Sequence, residues 1–126
     1  MTEEELRRLD GDTDGLAAYE HIANHVSSID DADLDLVIDK IEKVDLNGQF
    51  AVSAARYLFA TNPERFSGAV NRLIAIGIEK DRDRAYIGSL LQSVYGADYA
   101  DRVAELSASD DNFRRIYKRL FNQSPL

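Results

Sequence analysis

A chain of 126 residues with 44% hydrophobic and 30% charged side chains is long enough to bury one core, and its composition excludes a disordered or fibrous protein. The absence of cysteine removes disulfides, thiolate metal sites and cysteine nucleophiles, and the longest apolar run, residues 73–78, is far too short to span a bilayer. Net charge is −8, with fourteen acidic and five basic residues in 1–63 against nine and ten in 64–126. Such a chain is repelled by phosphate backbones and attracted to basic proteins.

The opening "MTEEELRR" is acidic and polar, the opposite of a secretory signal, so a cytoplasmic location is expected. Thr2 followed by Glu5 has capping-box spacing and predicts a short first helix. Leu16, Tyr19, Ile22 or Ala23, Val26 and Ile29 recur every three to four residues and predict a second. Asp30, Asp31 and Asp33 stand where carboxylates cap free amides, ahead of the stripe Leu34, Val37, Ile38, Ile41 and Val44. "DLNGQ" breaks that helix, and Phe50, Ala51, Ala54, Ala55 and Leu58 line the next.

In "TNPER", Asn62 can cap and Pro63 suits a first helical position, predicting a helix start there with Phe66, Val70, Leu73, Ile74 and Ile78 inward. Ile87, Leu90, Leu91 and Val94 follow, with Gly96 placed to stop the helix. Tyr99, Val103 and Leu106 form a shorter one, and Ser109 is the expected cap of the last. That last helix sets Phe113, Ile116, Tyr117, Leu120 and Phe121 against Arg114, Arg115, Lys118 and Arg119, the pattern of a closing core helix. No alternating strand pattern of useful length occurs. The expected fold is therefore all-α, with seven or eight helices in a single domain: an N-terminal helical hairpin over 1–29 and stacked hairpins over 30–126.

Helix starts near residues 33, 63 and 98 are about 30 to 35 apart, and "VIDKIEKVD" (37–45) resembles "LIAIGIEKD" (73–81). On these residues the chain resembles short HEAT-like or armadillo-like α-hairpin repeats, which implies stacked antiparallel hairpins; a compact irregular bundle gives similar spacings.

Residues 10–21 resemble an EF-hand calcium loop. Asp10, Asp12, Asp14 and Gly15 match its positions one, three, five and six. The twelfth position, which needs a bidentate glutamate, is His21, with Glu20 one place early, so we read the stretch as a turn whose aspartates cap the next helix. His21 and His25, four apart on one helix, could chelate a metal, but position 22 is Ile rather than the glutamate of a metalloprotease. A third ligand would have to come from a distant carboxylate, so no metal and no cofactor is expected. No nucleophile elbow or glycine-rich phosphate loop is present, no catalytic residue is assigned, and no enzyme activity is expected.

In size, charge and class the chain is similar to bacterial toxin immunity proteins, which implies an inhibitor of a basic protein. The expected contact residues are Asp10, Asp12, Asp14, Asp30, Asp31, Asp33 and Asp35. A calcium- or metal-responsive regulator using the 10–14 loop, and a non-inhibitory repeat scaffold, are the alternatives.

Overall fold

The computed structural model describes residues 1–121 of the chain. Eight α-helices follow in order: α1 (Glu3–Asp10), α2 (Leu16–His25), α3 (Asp31–Val44), α4 (Gln49–Thr61), α5 (Ser67–Lys80), α6 (Ser89–Tyr95), α7 (Val103–Ser109) and α8 (Asp111–Phe121). A 3-10 turn, Tyr99–Arg102, leads into α7. No strand is present among the described residues, and the fold is all-α. Residues 122–126, which end the segment assigned to stacked hairpins, lie outside the described residues.

The apolar stripes read from the sequence meet in one core. Ile22, Val37, Ile38, Ile41, Leu58, Leu73, Ile74, Ile78, Ile87, Leu90, Phe113 and Ile116 are completely buried there. α2, α4 and α6 pack side by side as one layer, and α3, α5 and α8 as the other. The two layers meet most extensively where α4 lies on α5. Burial of these side chains stabilises each helix far more than its intrinsic propensity does. α8 closes the array through Phe113, whose ring meets Tyr95 edge-on at 5.0 Å and stacks on Tyr117 at 5.7 Å.

Local signals fixed several helix ends. Thr2 and Glu5 form the capping box reciprocally, Asp30 accepts the Asp33 amide at 2.8 Å, and Gly96 stops α6 at φ +101°. Two starts differ from expectation. Asn62 accepts the Arg65 amide at 3.1 Å, but that bond closes a turn over residues 63–66 and caps no helix; α5 begins at Ser67. Asp110 rather than Ser109 caps α8, accepting the Phe113 amide at 2.9 Å; the Ser109 hydroxyl instead donates back to the Glu105 carbonyl inside α7. The carboxylate is the stronger acceptor, and it wins the cap.

The hairpin turns α1–α2, α3–α4 and α5–α6 share one construction that the helix spacing alone does not reveal. Each is closed by a buried aspartate: Asp12, Asp45 and Asp81, 33 and then 36 residues apart. Each accepts backbone amides at the head of the next helix, always including the amide six residues on: Ala18 at 2.9 Å, Ala51 at 2.9 Å and Ile87 at 2.8 Å. Three residues after each aspartate the chain takes positive φ, at Gly15 (+102°), Gly48 (+85°) and Arg84 (+58°). Turns two and three are stacked, since a Cβ on Gly48 would lie 3.1 Å from the Gly77 carbonyl and 3.2 Å from the Asp81 Cβ.

A side chain at positive φ costs about 1–2 kcal/mol that glycine avoids. Gly48→Ala should therefore lower stability by about 2 kcal/mol, with the tight contact adding to the backbone cost. Arg84→Gly should raise it by no more than about 1 kcal/mol, because glycine also loosens the unfolded chain. Urea denaturation of the two variants checks this; equal losses would show that the third turn does not share the backbone strain of the second.

Candidate functional site

The seven aspartates expected to form one acidic contact surface do different things. Asp12 stands apart from the other six. It is 7% exposed, and its two carboxylate oxygens accept the amides of Asp14 at 3.2 Å, Gly15 at 2.9 Å and Ala18 at 2.9 Å, so it builds the turn. Burial opposes its ionisation, but these amides outweigh that and hold its carboxyl below the usual carboxylate range. Asp14 accepts the Leu16 amide at 2.9 Å and Asp30 caps α3. Asp33 pairs with the Met1 ammonium at 3.0 Å, and Asp31 lies 3.5 Å from Arg65. Asp10 and Asp35 are exposed.

The two acidic segments also lie apart. Residues 10–14 precede α2 and residues 30–35 follow it, so they are separated by the length of a ten-residue helix, about 15 Å. Asp10, Asp12 and Asp14 do not bring three ligand oxygens within 4.8 Å of one another, and Asp12 spends its oxygens on backbone amides.

The sequence left any third ligand of the histidine pair to a distant carboxylate, and the fold brings one, Glu5, to the pair. Glu5 on α1 faces His21 and His25 on α2 across the first hairpin. Its Oε2 lies 2.8 Å from His25 Nε2 and 3.9 Å from His21 Nδ1, and the two imidazole centroids are 4.3 Å apart. Among the described residues, Glu5, His21 and His25 are the group that brings three metal-ligating atoms within 4.8 Å of one another. The other oxygen, Glu5 Oε1, accepts the Thr2 amide at 2.8 Å. That amide is the main cause of a lowered Glu5 pKa, with the histidines adding to it. Burial, then His25, lowers the pKa of His21.

The signal that could have exposed this site was the capping box itself. It fixes Glu5 on the side of α1 that folds back over α2, and the i, i+4 histidines stand on the facing side.

Comparison of the chain with protein-family models, with curated proteins and with solved structures finds no match. The site is therefore read from its own geometry.

Asp12 carries a pH dependence of known sign. A carboxyl whose folded pKa is depressed adds stability above its unfolded pKa and loses it as pH falls through the folded value. Asp12→Asn should cost about 1–3 kcal/mol at neutral pH. The gap between the variant and the parent should shrink as the solution is taken from about pH 5 towards pH 2. Thermal melts across that range test it, and a gap that stays constant with pH would remove Asp12 from the acid response.

Proposed function

We infer that this chain is a protein-interaction module of the immunity type, which binds and neutralises a basic protein partner through the acidic face of its N-terminal half. The observation that carries this reading is the outer face of α3. Asp31, Asp35, Asp39 and Glu42 follow one another at four-, four- and three-residue spacing and are all solvent-exposed. Like charges at that spacing repel one another and destabilise a helix by a few tenths of a kcal/mol per pair.

Only part of that charge is answered within the chain. Arg65 approaches Asp31, and Arg72 hydrogen-bonds Asp39 and Glu42, the latter at 3.2 Å. Asp35 belongs to no ion pair among the described residues. Leu36, 45% exposed beside it, offers an apolar contact within the charged field. A stripe of short carboxylates with an apolar neighbour suits a surface of arginines and lysines, which gains encounter rate and selectivity from opposite charge. On this reading the contact surface centres on α3, with the buried Asp12 outside it.

The test needs a basic partner, found by affinity capture with mass spectrometry and then purified. Its association rate, followed by surface plasmon resonance, should fall by at least about tenfold between low and high salt, because steering acts over roughly a Debye length. Asp31→Asn, Asp35→Asn and Asp39→Asn together should slow association while changing stability by less than about 1 kcal/mol. An association rate indifferent both to salt and to the triple substitution would overturn the reading.

A further inference from the structure

We propose that Glu5, His21 and His25 form a binding site for a first-row divalent metal ion of the zinc type, joining α1 to α2, with a fourth coordination position open to water. The proposal is independent of the partner reading above. Two imidazole nitrogens and one carboxylate oxygen are the donor set that zinc takes in three-ligand sites that keep an open position. Tetrahedral zinc with bonds of about 2.0–2.1 Å holds its donors roughly 3.4 Å apart. The distances of Glu5 Oε2 to His25 Nε2 and to His21 Nδ1, 2.8 and 3.9 Å, fall on either side of that value. Small rotations about the side-chain torsions of these three half-buried residues would close the set.

Several features favour a site over a chance meeting. The Thr2 amide holds Glu5 Oε1 at 2.8 Å, which orients the carboxylate and leaves Oε2 toward the histidines. An outer hydrogen bond of this kind is what positions a metal ligand. The histidines lie at i and i+4 on a ten-residue helix, so their relative placement is rigid. The simpler alternative is a single Glu5–His25 hydrogen bond. That bond accounts for His25 but not for His21, which turns to the same oxygen at 3.9 Å, beyond hydrogen-bonding reach, with its ring 4.3 Å from that of His25.

The cluster is reachable from two surface clefts that share all three residues. Their walls add Glu20 and Asp33 against Arg8 and the Met1 amine, and Asp33 neutralises that amine directly. With Glu5 included the surroundings carry one net negative charge, which suits a cation. The neutral nitrogen donors select borderline transition ions over calcium or magnesium, which require oxygen.

The experiment uses the full chain without a polyhistidine tag, stripped with a chelator and dialysed. Titration with zinc chloride by calorimetry should show one ion per chain, and zinc should raise the melting temperature by a few degrees at saturating concentration. X-ray absorption of the zinc-loaded protein should report two imidazoles in the coordination shell. His21→Ala and His25→Ala should each weaken zinc binding by more than about tenfold. Glu5→Gln, whose amide oxygen can still accept from Thr2, should do the same while leaving the apo melting temperature nearly unchanged. Calcium and magnesium at millimolar concentration should neither bind there nor displace zinc. Absence of a one-to-one zinc isotherm, or zinc affinity unchanged in His21→Ala, would overturn the proposal. In the second case the Glu5–His25 hydrogen bond would be all that the geometry represents.

Discussion

A carboxylate withdrawn from water is costly unless its oxygens are hydrogen-bonded, and at Asp12, Asp45 and Asp81 the bonds come from backbone amides at the head of the next helix. The arrangement satisfies the orphan amides of the second helix and fixes the direction in which it leaves the turn. It also places the carbonyl end of the first helix at the same edge. There the next structural unit supplies a cation: Lys40 donates to the Asp10 carbonyl at 3.3 Å, Lys80 to the Asp45 carbonyl at 2.6 Å, and Arg119 to the Ile78 and Asp81 carbonyls. Each turn is thus tied from within by an aspartate and from outside by a basic side chain, in keeping with the negative end of a helix. The layered packing of α2, α4 and α6 against α3, α5 and α8 follows from three turns built alike along one edge.

This construction divides the acidic residues into two populations. Some are structural: the three buried aspartates, and the caps Asp30 and Asp110. Glu5 and Asp33 are half-buried and paired, most of the others face water, and the stripe on α3 is a regular set among these. A net charge of −8 therefore overstates the charge that the surface presents to solvent. Buried carboxylates whose oxygens are held by amides contribute to folding and little to the outer field, whereas short exposed ones on a rigid helix contribute mainly to the field.

Glu5 links the two ends of the first hairpin. One of its oxygens completes the capping box of α1 and the other meets the histidines of α2. A residue that folding already holds in place loses little further entropy when it takes a second partner, which is why the cluster is preorganised. At the far end of the array, Asp110 has a similar double part. It caps α8 and accepts from the Tyr95 hydroxyl at 3.2 Å, while burial and then the charge of Asp110 push the Tyr95 pKa up.

The sequence by itself determined the elements. Thr2 with Glu5, Asp30 before Leu34, the three-to-four spacing of Val37, Ile38 and Ile41, and Gly96 after Val94 all act within one or two helical turns, so they are legible without tertiary knowledge. The stop at "DLNGQ" and the amphipathic stripe of α8 were legible for the same reason. Only the tertiary structure decided what each polar residue does. "DTDGLAA" and "DLNGQFA" carry the same turn, yet the first also matches half of a calcium loop, and only burial of Asp12 against amides up to six residues away separates the two readings. Likewise Glu5 and His21 are sixteen positions apart, and their meeting depends on how the first turn folds α1 over α2. Periodicity encodes which face of a helix is inward. It carries no information about which distant side chain faces that helix, because that is set by the angle of the turns and the packing of the layers.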